Sequence, residues 1–182
     1  MVGTRPPVLA ILPLLLFDLM ERLVRRLILA VLLNLSLLAV AQASPDKVHS
    51  TIVFTDNLQK DAALSKRLNA PILLVVSQEH CPFCDLLKRE VLNPMALSGD
   101  YRDKVVMREI LIDLGETLIN FEGKSEDAAE FAHRYDVYLT PTLLFLDPHG
   151  NELSKRIVGV NTVELFYFYL TSAIDSAREK MQ

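Results

Sequence analysis

Both cysteines of this 182-residue chain fall in one tetrapeptide, Cys81-Pro82-Phe83-Cys84. Two thiols at that spacing suit either a metal or a dithiol that opens and closes. A structural zinc site needs about four ligands, and the four histidines, His49, His80, His133 and His149, follow no recurring ligand spacing. The dithiol fits better. An apolar run from Pro71 to Ser77 leads into the motif, and Pro82 suits the first position of a helix, where its missing N–H costs nothing. Cys81 then sits at a helix N-terminus, where unpaired N–H groups and the positive end of the helix dipole favour the thiolate. A strand, a C-x-x-C and a helix in that order read as a redox motif. The competing assignment is a pair of inert thiols or a static disulfide.

The rest of the chain must position that motif. Residues 1–43 stand apart: an apolar run from Pro7 to Phe17, then Asp18 and Glu21, then Arg22, Arg25 and Arg26, then a second apolar run from Leu27 to Ala41. Read from Met20 as the true start, this is a secretory signal peptide, with a basic n-region, an apolar core, and small residues at Ala41 and Ala43 before the cut. An uncleaved membrane anchor is the rival reading. Residues 44–182 then form one domain, with 15 basic and 21 acidic residues. That acidic balance argues against nucleic-acid binding, which needs a basic face. Export would place the thiols where disulfides are permitted.

Along the domain, Thr51 to Phe54 is an edge-strand candidate. A helix capped by Asp56 or Asn57 runs to about Leu68, with Asp61 among its polar residues. Ile72 to Val76 reads as a strand covered on both faces. The helix opened by Pro82 buries Leu86, Leu87, Val91 and Leu92, turns Asp85, Lys88 and Arg89 to solvent, and bends or ends at Asn93-Pro94. Val105 to Asp113 is a second core strand, interrupted by Arg108 and Glu109. Leu114 to Lys124 is a loop with a small hairpin near Leu118 to Phe121. Ser125 caps a helix through Tyr135. Thr142 to Leu146 is a strand, Asp147 to Asn151 a turn, and Glu152 to Val158 the returning strand. Thr162 caps a last helix whose packing stripe is Leu165, Phe166, Tyr169, Leu170, Ala173 and Ile174. The order β-α-β-α-β-β-α predicts an α/β domain with a mixed sheet and helices on both faces.

The strand into Cys81-Pro82-Phe83-Cys84, Leu139-Thr140-Pro141-Thr142-Leu143-Leu144-Phe145 about 60 residues later, the turn to Gly150 and Val158-Gly159 together resemble the thioredoxin fold, over roughly Asn57 to Ala177. The long loop before the Ser-Glu helix, the Thr-Pro-Thr strand and the F-x-D-x-x-G turn resemble the exported thioredoxin-like proteins of the SoxW and TlpA type. The resemblance implies that Cys81 is the attacking thiolate and Cys84 the resolving thiol. Pro82 and Phe83 would tune the pair. Pro141 would be a cis proline opposite them, exposing the Thr140 backbone to an extended substrate. Gly159 would either permit close approach beside that surface or simply turn the chain. Cytosolic thioredoxins carry a buried aspartate six residues before the first cysteine, where this chain has Val75. They carry a lysine on the neighbouring strand, where alignment places Glu109. Glu109 is then either the replacement proton acceptor for Cys84 or an outward-facing acid. His80 either supports the thiolate or is simply solvated.

The function this implies is thiol-disulfide exchange by a monomer without metal or organic cofactor. It would act as a periplasmic disulfide reductase on exported protein thiols and disulfides, with a membrane thiol transporter as electron donor and the leader as a tether if uncleaved. A disulfide oxidase or isomerase, and a redox-inactive binding or chaperone module, are the alternatives.

Overall fold

In a computed structural model, which describes residues 20–29 and 51–182, the apolar run after Pro71 becomes the middle of a five-stranded sheet. The chain divides into two units, residues 1–47 and 48–182. Of the first unit, residues 20–29 form a helix with exposed side chains. The rest of the signal-peptide expectation, including the cut after Ala43, lies outside the described residues. No helix among the described residues is long and apolar enough to cross a membrane.

The second unit is the expected α/β arrangement. The elements in chain order are β1 (Val53–Phe54), α1 (Leu58–Leu68), β2 (Ile72–Ser77), α2 (Pro82–Leu87), a π-helical turn (Lys88–Leu92), α3 (Asn93–Ser98), β3 (Val106–Leu111), β4 (Thr117–Ile119), β5 (Ser125–Asp127), α4 (Ala128–Arg134), β6 (Thr142–Leu146), β7 (Ile157–Val158) and α5 (Val163–Glu179). The main sheet has the order β1-β3-β2-β6-β7. β1 and β2 lie parallel to β3, and β6 runs antiparallel to β2 and β7. Alternate residues of a strand point to opposite faces. Ile72, Leu74 and Val76 therefore pack with Leu58, Phe131 and Ala132 of α1 and α4. Leu73 and Val75 pack on the other face with Leu87, Val91, Phe166 and Leu170, which belong to the α2–α3 stretch and α5. Every residue of β2 is buried.

Several expectations change in the structure. Ser125 does not cap a helix: residues 125–127 pair antiparallel with 117–119, and the cap moves to Asp127, whose carboxylate accepts from the N–H groups of Ala129 and Glu130. Asn120 makes this hairpin competitive, because its side-chain oxygen accepts from the N–H groups of Glu122 and Lys124. Asn93-Pro94 does not stop the helix. One wide turn, with Asn93 N–H donating to Lys88 O, carries it on to Ser98, and Gly99 ends it with a φ of 80°. The returning strand is regular only at Ile157–Val158, since Ser154 bonds to Ala173 O and Arg156 to Tyr135 O and Glu152. On α5 the buried stripe is Phe166, Leu170, Ile174 and Ala177, while Leu165 and Tyr169 are exposed. Thr162 stands at the cap position of α5 but makes no side-chain cap bond.

The two charges that interrupt β3 have opposite fates, as strand alternation requires. Arg108 bonds to the buried Asp61 on α1, which also accepts from the Thr55 hydroxyl. Glu109, fully buried, lies 3.2 Å from Lys88 Nζ. Lys88 and Asp61, expected among the solvent-facing residues, are thus buried because each meets the counter-ion that β3 brings. The reading of Glu109 as an outward-facing acid does not hold.

Two stability predictions follow from this packing. Lys88→Met removes the ammonium beside a carboxylate with no exposure and costs about 3–5 kcal/mol in urea unfolding, whereas Lys88→Met/Glu109→Leu recovers most of that loss. Simple additivity of the two single losses would show that the charges do not support each other. Gly150 has a φ of +86°, and a Cβ there would lie 2.7 Å from both the Phe121 ring and the Tyr135 hydroxyl. Gly150→Ala is expected to destabilise the domain by about 1–3 kcal/mol in the same assay.

Candidate functional site

Cys81 is the N-cap of α2, with φ −126° and ψ 96°, and its carbonyl accepts the first helical bond from Asp85 N–H. A residue at that position can offer its side chain to the exposed N–H groups of the first turn. Cys81 does so with sulfur: the Cys84 N–H donates to Cys81 Sγ at 3.1 Å. Pro82 occupies the next position, and both Pro82 and Phe83 are exposed, Phe83 by 60%. The cysteines form a disulfide with an S–S distance of 2.04 Å. Cys81 keeps 7% of its surface exposed and Cys84 1%. Cys81 is thus the more accessible sulfur, though far less open than an exposed nucleophile would be. His80, just before it, is exposed.

The loop from Gln78 to His80, which delivers the chain from β2 to Cys81, is held at two points. The Glu79 N–H donates to both carboxylate oxygens of Asp113, at 3.0 and 3.2 Å. The Thr140 hydroxyl donates to Gln78 Oε1 at 2.7 Å and stands 3.6 Å from Cys81 Sγ. The Thr140–Pro141 peptide is cis and Pro141 is buried. Beyond it, Gly159 N–H donates to Pro141 O at 2.8 Å. Gly159 has a φ of +69° with nothing within 4 Å of a Cβ built on it, so its own chain makes no close approach there and the backbone turn is what calls for glycine. Tyr138 and Leu139, 70% and 66% exposed, precede Thr140.

In the β2–β3 ladder, Val75 is the lateral partner of Glu109. A carboxylate absent from position 75 is therefore supplied by the neighbouring strand at the same level, pointing to the face that α2 covers. Lys88, four residues after Cys84 and so on the same side of the helix, spans Glu109 at 3.2 Å and the half-exposed Asp85 at 3.4 Å. Ser77 Oγ, at the end of β2, is buried with no hydrogen-bond partner among the described residues. No group of three or more His, Cys, Asp or Glu side chains among the described residues is placed to hold a metal ion.

Sequence reasoning missed Lys88, Gln78 and Asp113. Lys88 was findable, because 84, 87, 88, 91, 92 and 95 recur at helical spacing and all are buried. Gln78 and Asp113 carry no comparable signal, since their roles depend on contacts across the fold.

Several solved structures are similar to this chain. Poplar thioredoxin h (PtTrxh4) is 21% identical over 64% of this chain and 86% of its own, with a TM-score of 0.46. Oxidised thioredoxin O2 from Arabidopsis thaliana is 24% identical over 68% and 96%, with a TM-score of 0.45. Fasciola hepatica thioredoxin is 18% identical over 68% and 97%, with a TM-score of 0.45. No curated protein sequence matches significantly. The profile of the thioredoxin-like domain family matches residues 58–174, which span the disulfide, the Thr140–Pro141 segment and the helices on both faces of the sheet, and the chain belongs to that family.

Proposed function

We propose that the protein is a thiol-disulfide oxidoreductase, working as a disulfide reductase on exported proteins. The observation that carries this reading is the sulfur of Cys81 at the start of α2, joined to Cys84 and accepting its N–H at 3.1 Å. A thiolate there is stabilised by the same donor and by the helix dipole. In the reduced protein the Cys81 thiolate attacks one sulfur of a substrate disulfide. The substrate S–S bond breaks, a mixed disulfide forms at Cys81, and the released substrate sulfur takes a proton. Cys84, once deprotonated, attacks Cys81 Sγ; the Cys81–Cys84 bond closes and the second substrate sulfur leaves and is protonated. Two electrons and two protons have passed to the substrate, and a membrane thiol transporter restores the dithiol.

Cys84 is deeply buried, so its proton needs an acceptor within the fold. Glu109 takes that part in our proposal, with Lys88 supporting the carboxylate and Asp85 marking the route to solvent. Phe83, Tyr138 and Leu139 offer an apolar rim for an extended polypeptide lying beside Thr140, and an open hollow of about 510 Å³ bordered by Val158, Gly159, Phe166 and Tyr169 could take a side chain beyond it. Pro141 and Gly159 shape the backbone of that rim. The resemblance to the SoxW and TlpA type favours periplasmic reduction by a monomer, soluble or held to the membrane by its leader. Oxidase or isomerase action is the same chemistry run from a higher potential.

A second reading has one observation in its favour. Cys81 is only 7% exposed, as suits a module that binds polypeptides without turning over. Insulin reduction separates the two. The wild-type chain is expected to reduce insulin, and Cys81→Ser to fall to the uncatalysed rate, while a wild-type chain that binds unfolded peptide without reducing insulin selects the binding module. Cys84→Ser should accumulate the mixed disulfide. A reduction potential near about −250 mV or lower marks a reductant, and one near about −130 mV an oxidant. Glu109→Gln is expected to slow attack by Cys84 on a preformed mixed disulfide by about 10²-fold at neutral pH; an unchanged pH-rate profile for that step removes Glu109 from the mechanism.

A further inference from the structure

The Thr140 hydroxyl stands between two acceptors, Gln78 Oε1 at 2.7 Å and Cys81 Sγ at 3.6 Å. A hydroxyl has one hydrogen to give and lone pairs to accept with, whereas a glutamine amide has an acceptor oxygen and a donor nitrogen. The two side chains can therefore pair in two ways. Either the hydroxyl donates to the amide oxygen, or the amide turns and donates to the hydroxyl oxygen, which frees the hydroxyl hydrogen. In the closed disulfide the sulfur is neutral and a weak acceptor, and the hydrogen goes to Gln78. A thiolate at Cys81 reverses the preference, because hydrogen bonds to an ionised group are roughly twice as strong as neutral ones.

We propose that Gln78 is a positioning residue for Cys81: it parks the Thr140 hydroxyl while the disulfide is closed and, by turning its amide, releases that hydrogen to the thiolate when the disulfide opens. The sulfur would then gain a second donor beside the Cys84 N–H, and only in the reduced state. No proton changes owner in this exchange. Gln78 itself is kept in place by the loop, whose next residue is tied to Asp113. The inference rests on Cys81 being the attacking thiolate, as proposed above.

The apparent pKa of Cys81 in the reduced full-length chain, read from the pH dependence of iodoacetamide alkylation, tests it. The charged and titratable groups on the surrounding elements, Glu79 and His80 on the loop, Asp85 and Lys88 on the helix, Glu109 and Asp113 at β3, and Asp136 and Tyr138 before Thr140, are common to every variant. Thr140→Val is expected to raise the pKa by about one unit, the size of one hydrogen bond to a charged group, and Thr140→Ser to leave it near wild type. Gln78→Leu should raise it by about half a unit, and adding Gln78→Leu to Thr140→Val should raise it no further. Gln78→Met, which keeps the length without either polar atom, gives the same readout where leucine disturbs the loop. A pKa indifferent to Gln78, or shifts that add in full, overturns the positioning role while leaving the redox reading intact. A wild-type chain that never cycles with dithiothreitol overturns both.

Discussion

A strand covered on both faces can carry a charge only where the covering layer supplies the counter-ion. β3 carries two adjacent charges, so alternation sends one to each side of the sheet. Arg108 meets Asp61 on α1, and Glu109 meets Lys88 just past α2. Paired burial of this kind adds little net stability compared with well-packed apolar residues, but breaking one partner is costly, so the pairs act chiefly on geometry. Lys88 tied to Glu109 fixes the rotation of the helix about its axis. Cys84, one turn earlier on the same side, is then held against the sheet, and Cys81 is left at the helix mouth. The position of the disulfide follows from where a buried carboxylate can find its cation.

The sequence revealed most of this architecture for a simple physical reason. β2 is apolar at every position from Ile72 to Val76 because both faces are covered, and turns such as Asp147 to Asn151 depend on their own residues. At Asp147, burial pushes the carboxyl upward, but bonds from the Asn151 side chain and from the N–H groups of Asn151 and His149 outweigh it and hold the group below its ordinary range. What stayed hidden was whatever depended on a remote partner. Ser125 has the composition of a helix cap, yet the strand at 117–119 claims it. Leu165 and Tyr169 have the composition of a core face, yet α5 is rotated to bury Phe166, Leu170 and Ile174 instead.

The site divides the same way. The cysteines, the following proline and the Thr140–Pro141 segment are local signals, readable from residue type and spacing. The groups around them are harder to read, because Gln78, Lys88, Asp113 and Glu109 make contacts between residues 21 to 62 positions apart. Charge in a buried strand was one hint, and the helical spacing that carries Lys88 was another. Arg108 and Glu109 looked like an interruption of β3, whereas each marks the place where a helix must bring a matching charge.

The disulfide site itself handles charge differently from the layer beneath it. Besides its disulfide partner, the described groups in contact with Cys81 Sγ are a backbone N–H and a hydroxyl, both neutral dipoles, while the buried Glu109 carboxylate is paired with Lys88, which also meets the half-exposed Asp85. Dipoles fixed by the fold favour a thiolate without placing a cation in contact with the sulfur, which leaves the face open to the substrate of the proposed exchange. They also leave Phe83, beside the disulfide, and Tyr138 and Leu139, before Thr140, free to be apolar and exposed, in keeping with the polypeptide contact proposed above. The buried pair, by contrast, lies where a charge is expensive to make or lose, which is why our proposal gives it the proton of the second thiol. In the proposed exchange the two tasks are separate, with neutral donors for Cys81 as the attacking sulfur and a paired carboxylate for Cys84 as the resolving one, so that each is set without disturbing the other.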